Sequence, residues 1–150
     1  MTDFLIGLFM AFVATLAFSA LFNVPRAEAV FCGLTGTICW LVYSAVLLIM
    51  PGSIVLATFA ATLCLTAFSR FLSYTRRAPA SVYLATGVIP IVPGAGIYYT
   101  MYALTISNDN AMAVAKGIET LKLAGVIAAG IMIILSLPKE AFDWAYRKAH

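Results

Sequence analysis

The stretch GVIPIVPGAGI, residues 87–97, places three glycines and two prolines in the middle of a long apolar run. Proline removes a backbone donor and clashes with the preceding turn, while glycine lets the backbone leave helical angles. In hydrocarbon every backbone N–H and C=O must be paired, so irregular backbone is tolerated there only where protein or water covers it. The stretch therefore predicts a membrane helix that is broken between Pro90 and Gly96.

The composition indicates that the chain lies in a membrane. Of its 150 residues, 63% are apolar and 10% are charged, whereas globular chains carry about 25% charged residues. So few charges cannot cover a surface that faces water, and the lipid bilayer is the expected solvent. The net charge of +3 gives no indication of a nucleic-acid partner.

Apolar runs long enough to cross a bilayer, about 20 residues each, recur along the chain. We predict an all-α integral membrane protein, a single transmembrane domain over residues 1–150 with about five helices, the fourth of them broken. The spans are predicted at residues 4–22, 27–50, 53–69, 81–106 and 120–137. The first run has no Lys or Arg before it, which argues against a cleaved signal peptide.

The positive charges divide unevenly between the two sides that five spans define. One side carries Lys116 and Lys122. The other side carries seven residues: Arg26, Arg70, Arg76, Arg77, Lys139, Arg147 and Lys148. Since cytoplasmic loops are rich in Lys and Arg, we expect the N-terminus outside and the C-terminus in the cytoplasm. If the turn at residues 51–52 instead joins the second and third runs into one bent element, the spans number four and both ends share a side.

The residues that carry enzyme or metal chemistry are sparse. The cysteines Cys32, Cys39 and Cys64 all lie inside apolar runs, which indicates buried thiols. The one histidine is His150, the last residue. Because an intramembrane enzyme needs an embedded His, paired aspartates or a Ser–His combination, we expect no enzyme, no metal site and no cofactor.

The predicted break suggests a binding site. Transporters use discontinuous helices near the midplane, where the free N–H groups at the start of a half-helix point at an anionic substrate group. A half-helix that starts near Gly94 and Gly96, after Pro93, would be a cradle for a carboxylate. The alternative is a proline kink that only shapes the helix bundle.

Helical spacing predicts two stripes of polar side chains, most of them hydroxyl groups. The first consists of Tyr98, Tyr102, Thr105 and Asp109, and could bind substrate or line a wet path; its alternative is an interfacial aromatic belt. The second consists of Thr58, Thr62, Thr66 and Ser69, whose hydroxyls could instead bond their own helix. Small residues at helical spacing predict close helix contacts at Gly7, Ala11, Ala14 and Thr15, and at Gly125 and Ala129.

Ionisable residues near the span ends are candidates for binding and coupling, because a charge in a bilayer normally has a partner or a function. Arg26, Arg70 and Lys122 could pair with a substrate carboxylate. A coupling proton could bind to Glu28, Asp109 or Glu119. For each residue the alternative is a loop charge or a side chain that reaches the headgroups.

Three segments resemble the threonine/serine exporter family, of its small-subunit (YjjB-like) type. They are FNVPR at residues 22–26, GVIPIVPGAGIYYTMYAL at 87–104 and KGIETLKLAGVIAAGI at 116–131, and with the five-span pattern the resemblance covers nearly the whole chain. The residues that match the family motifs are Asn23, Pro25, Arg26, Pro90, Pro93, Gly94 and Tyr98.

The resemblance implies a function and a partner. Family members are secondary exporters of the bacterial plasma membrane that move small carboxylates outward, threonine and serine in some and succinate in others, and a proton gradient is the implied drive. The chain is similar to the second half of the fused members, so a larger membrane subunit with a soluble cytoplasmic region is the implied partner. The two halves would form an inverted repeat. The alternative is a structural subunit that only stabilises a large subunit binding the substrate alone.

Overall fold

A computed structural model describes residues 2–138, and within this range the chain is built of α-helices. The helices are α1 (Thr2–Leu21), α2 (Arg26–Ile49), α3 (Ile54–Arg76), α4 (Ala80–Gly87), α5 (Gly94–Thr105) and α6 (Asn110–Ser136). A short 3-10 turn, Ile89–Ile91, lies between α4 and α5. The predicted all-α membrane fold is confirmed; the tail charges Lys139, Arg147 and Lys148 and the terminal His150 lie outside the described residues.

Four of the helices, α1, α2, α3 and α6, are long and apolar enough to cross a membrane. Helices α4 and α5 pass the same test only together, as a pair bent by 57° at the break. The count is therefore four, or five if the bent pair is one span. Since α2 and α3 have 24 and 23 residues, the turn at Pro51 joins two complete helices and does not merge them into one span. The bent pair decides between four spans and five.

Two helices are longer than the apolar runs that predicted them. Helix α3 continues past Ser69 to Arg76, and α6 begins at Asn110, well before Thr120. Hydropathy detects only the apolar part of a helix, whereas the backbone hydrogen bonds continue wherever the charged side chains find partners or water. Both extensions carry such groups, including the Lys116–Glu119 pair on α6.

The helices pack in the order α1, α2, α3, α6, α5, each against the next. Helix α4 packs against α2 and α3 and also touches α1, whereas α5 has its main contact with α6. The two halves of the bent pair therefore lie in different surroundings. The first half is inside the bundle, and the second half is at its edge.

Small residues let α1 and α2 approach closely, as predicted for Gly7 and Thr15. A Cβ atom added to Gly36 would overlap Thr15 Oγ1, and one added to Gly7 would lie 2.8 Å from Trp40 Nε1. The second predicted small-residue contact is wrong within this chain. Gly125 and Ala129 are exposed, because α6 turns the neighbouring position, Gly130, against Thr62 of α3.

We predict that Gly36→Ala lowers the stability of the folded chain, because the added methyl group displaces Thr15. Overpacking of this kind costs about 1–3 kcal/mol. The matched control is Gly125→Ala, where nothing lies within 4 Å of the added Cβ and the helix gains propensity. Thermal unfolding in detergent should give a lower midpoint for Gly36→Ala and an unchanged or higher one for Gly125→Ala. Equal midpoints for the two variants would contradict this packing.

Candidate functional site

The break between α4 and α5 begins about halfway through the bundle. Ile91, in the 3-10 turn, is buried with Cys39, which lies near the middle of α2, and with Leu65, which lies at the middle of α3. The remaining buried members of this cluster are Ala61 and Ile127. The irregular backbone therefore starts about halfway along α2 and α3, and the predicted break in this helix is confirmed.

The first side of the break is covered by protein. Gly87, the last residue of α4, packs so closely that an added Cβ would lie 2.7 Å from Thr35 Oγ1. Pro90 follows in the 3-10 turn and lines an apolar cleft with Trp40 and the small residues of α1. The burial of Gly87 and Ile91 against α2 and α3 explains how the proline-rich segment is tolerated here, because protein covers its backbone.

The second side of the break opens to the surface of the chain. Pro93 is the N-cap residue of α5 and gives it no side-chain hydrogen bond. The amides of Ala95 and Gly96 have no hydrogen-bond partner among residues 2–138. Gly94 is exposed, and nothing lies within 4 Å of a Cβ added to it. This end of α5 combines free donors, the positive end of the helix dipole and open space, a geometry that suits an anion such as a carboxylate.

The tyrosines of the motif lie on the same open face of α5. Tyr98 and Tyr102 follow Gly94 at four-residue intervals, and their rings stack with centroids 6.2 Å apart. The residue surfaces of Tyr98 and Tyr102 are 62% and 38% exposed. The opposite face of α5 packs on α6, where Gly96 meets Thr120.

The predicted tyrosine stripe does not reach Asp109. Helix α5 ends at Thr105, whose hydroxyl donates to Met101 O of its own helix. The chain then turns through Asn108, which has a φ of 49°. Asp109 becomes the N-cap of α6, where its Oδ1 accepts a hydrogen bond of 2.9 Å from the amide of Met112.

A second candidate site is an open groove of about 660 Å³ at the bend between α1 and α2. The predicted residues Asn23 and Arg26 both line it, together with Pro25 between them. Asn23 adopts a left-handed conformation with φ 53°, and the amides of Asn23 and Val24 bond back to α1. Asn23 thus ends α1 in the way that glycine often ends a helix, and the motif shapes the groove as well as lining it.

The predicted substrate-binding residues therefore fall into two groups. The cleft at Pro90 lies against Ala11 of α1, and Asn23 follows twelve residues later, which corresponds to roughly 18 Å along a helix. Pro90, Pro93, Gly94, Gly96, Tyr98 and Tyr102 belong to the break, and Asn23 and Arg26 belong to the groove. The structure does not bring them into one pocket.

The predicted coupling residue Glu28 is the centre of a buried polar cluster. Its Oε1 accepts a hydrogen bond of 2.9 Å from Nη2 of Arg76, and its Oε2 accepts bonds of 3.2 Å from Nε of Arg76 and 2.6 Å from the hydroxyl of Tyr83. Glu28 is 9% exposed and Tyr83 is fully buried. We call Glu28, Arg76 and Tyr83 the carboxylate cluster; it joins α2, α3 and α4.

Sequence reasoning missed most of this cluster. It treated Arg76 as an orienting loop charge and did not single out Tyr83. One available signal was the spacing of Glu28, Cys32, Thr35 and Cys39, which are four, three and four residues apart and so share one helix face. Because the last three are small residues typical of a helix contact, Glu28 was to be expected on the buried face of α2.

The other polar candidates have structural partners. Arg70 donates from Nη1 to the carbonyl oxygens of Ile134 and Leu137, at 2.6 and 2.9 Å, and so caps the end of α6. Glu119 is exposed and pairs with Lys116 at 3.0 Å. In the stripe on α3, Thr58, Thr62 and Thr66 each donate to the carbonyl four residues earlier, as the alternative interpretation predicted. The fourth member, Ser69, does not follow this pattern, because its buried hydroxyl has no hydrogen-bond partner among residues 2–138.

The sequence model of the family described as "Threonine/Serine exporter, ThrE" matches residues 7–137 of the chain. The match covers most of the chain, including both the groove and the break, and the chain therefore belongs to this family. The resemblance drawn from the three motifs is confirmed. No curated protein and no solved structure matches the chain significantly.

We predict that Arg70→Ala loosens the end of α6, because two carbonyl oxygens lose a charged donor. A hydrogen bond to a charged group contributes about 1.5–3 kcal/mol, so amides of residues 130–137 should exchange with deuterium faster in the variant. The control is Arg26→Ala, which removes an exposed arginine at the α1–α2 bend. Unchanged exchange in Arg70→Ala would contradict the capping role.

Proposed function

We propose that this chain is a membrane subunit of a secondary exporter of small carboxylates, either threonine and serine or a dicarboxylate such as succinate, and that it works with a larger membrane subunit. Membership of the exporter family supports export as the general activity. The observation that carries the site assignment is the start of α5, where free amides and an unobstructed Gly94 follow a break near the midplane.

The free amides of Ala95 and Gly96 favour a substrate with a carboxylate. A polar backbone group left unpaired in hydrocarbon costs several kcal/mol, so these amides need an acceptor. A substrate carboxylate supplies two oxygens, and the hydroxyl groups of Tyr98 and Tyr102 lie farther along the same face to bind the rest of the molecule. This arrangement selects the carboxylate and leaves the choice among small carboxylates to surrounding groups.

The groove at Asn23 and Arg26 is proposed as the cytoplasmic entrance. Arg26 and Arg76 both lie at the end of the bundle where α2 begins and α3 ends. The positive-inside rule makes this end cytoplasmic and the N-terminus external, in a bacterial inner membrane. A carboxylate attracted to Arg26 would enter here and move outward along α1 towards the break.

The larger subunit is proposed to cover the open face of α5. Helix α5 has its main contact with α6 on one side, and the exposed tyrosines lie on the other. Two membrane halves arranged as an inverted repeat would place the break at their interface, where rocking of one half against the other gives alternating access.

A second candidate function, a structural subunit that only docks the larger one, is favoured by the same exposed face. Stacked and exposed tyrosines also suit a protein interface. In that case the free amides would bond to the partner subunit and not to substrate.

Efflux from preloaded cells separates the two functions. Cells lacking their own exporters would be loaded with threonine, serine or succinate and would express the chain alone or with its presumed larger subunit. We expect efflux of one solute class only when both chains are present. If the two chains assemble and none of the three solutes leaves, the proposed substrate class is wrong.

We predict that Gly94→Val reduces efflux by about tenfold or more while the two subunits still copurify. The added side chain fits the open space but covers the free amides, and each hydrogen bond to a charged group contributes about 1.5–3 kcal/mol. The matched control is Gly125→Val, at an equally open position on α6. Loss of copurification in Gly94→Val would instead favour the structural function.

We predict that Arg26→Gln raises the internal concentration needed for half-maximal efflux by about two- to fivefold and leaves the maximal rate unchanged. The effect is small because Arg26 is exposed, and exposed ion pairs contribute about 0.2–1 kcal/mol. The control is Arg77→Gln, which removes the same charge from the loop after α3, outside the groove. An equal effect of both variants would indicate general surface charge and no entrance at Arg26.

A further inference from the structure

The carboxylate cluster is not part of the proposed substrate-binding site. Glu28 lies apart from the break. Neither membership of the family nor the proposed binding of substrate at the start of α5 assigns a role to it. Yet it joins three helices at one end of the bundle, and a buried carboxylate is costly unless it is paired. We therefore expect the negative charge of Glu28 to have a function.

Among the acidic side chains that the structure describes, Glu28 is the one that is buried. Asp109 is exposed and caps α6, and Glu119 is exposed and pairs with a lysine of its own helix. Protonation of either exposed residue would change one local contact. Protonation of Glu28 would change hydrogen bonds that come from two other helices.

The position of Glu28 allows a proton to arrive from water. The Arg76 side chain is 37% exposed, and its guanidinium lies over the ring of Phe31, 4.3 Å from the ring centroid. Arg76 is also the last residue of α3. The carboxylate is therefore separated from the solvent at this end of the bundle by one partly exposed side chain.

The cluster is mechanically linked to the broken span through Tyr83. Tyr83 is fully buried in α4, and its hydroxyl donates to Glu28 of α2 at 2.6 Å. Its carbonyl oxygen also lies 3.4 Å from Oγ1 of Thr35, whose hydroxyl donates to Cys32 O at 2.7 Å. Helix α4 has only eight residues and no side-chain cap, so these contacts with α2 hold its first turns. The break begins immediately after α4, at Val88.

We propose that Glu28 is the proton-binding site of the exporter, and that Arg76 and Tyr83 are positioning residues that convert its charge into the position of α4. This inference rests on the proposed function. A proton from water binds to the Glu28 carboxylate and gives a neutral carboxylic acid. Arg76 loses its counter-ion and turns to water, and the charge-assisted bond from Tyr83 becomes a weaker neutral one. Helix α4 is then free to move against α2 and α3.

Among the residues that the structure describes, few other ionisable groups act on Glu28. The groups that face it are Arg76 from α3, Tyr83 from α4 and Cys32 one turn along α2. The side chains of α1 that meet α2, from Gly7 to Thr15, are not ionisable. Within residues 2–138, a pH response of this cluster is therefore assigned to Glu28 and its two partners.

The test compares gradient-driven transport with exchange, using the exporter in liposomes and whichever of threonine, serine or succinate the efflux experiment identifies. We expect Glu28→Gln to lose uptake or efflux driven by an imposed pH gradient, while equal exchange of labelled for unlabelled solute continues. Asp109→Asn and Glu119→Gln are the matched controls and should retain both activities. Gradient-driven transport that persists in Glu28→Gln overturns the inference.

A second variant, Tyr83→Phe, tests the same proposal if Glu28→Gln does not fold. Tyr83→Phe keeps the carboxylate and removes one donor that favours its charged form, so the pH of half-maximal transport should move up by about one unit. An unchanged pH profile overturns the inference. Absence of exchange in the unaltered protein would instead count against the proposed function, so the two failures are distinguishable.

Discussion

The need to pair every backbone polar group inside a membrane governs this structure. Helices α1, α2, α3 and α6 satisfy it within themselves, and the segment between α4 and α5 does not. Ile91 and Gly87 bury the first side of the break among α2 and α3, whereas the amides of Ala95 and Gly96 are left free at its other side. An exporter can use such a defect, because the substrate itself completes the hydrogen bonding.

The two halves of the bent pair have different surroundings and therefore different proposed roles. Helix α4 is tied to α2 and α3 by the carboxylate cluster, and α5 lies at the edge with its tyrosines exposed. Movement of α4 therefore reaches the start of α5 through a few residues of irregular backbone. The proposed proton site and the proposed substrate site lie at opposite ends of this short connection.

The sequence predicted the fold and the break well, because both follow from simple constraints. Apolar length predicts spans, and two prolines with three glycines predict a break. The sites were harder to predict. Asp109 was assigned to the tyrosine stripe because spacing assumes an unbroken helix, and α5 ends before it. The partners of Glu28 come from residues 48 and 55 positions away, and no local pattern reports such contacts.

The most direct test of the account is whether substrate binds at the start of α5. Solid-state NMR of the exporter in lipid, with labelled alanine and glycine, would follow the amide signals of Ala95 and Gly96 during titration with the transported solute and with its methyl ester. We expect both signals to shift with the solute and to stay in place with the ester, in which every carboxyl group, both in the case of succinate, is methylated. Transport of the solute with no change at either amide would contradict the account.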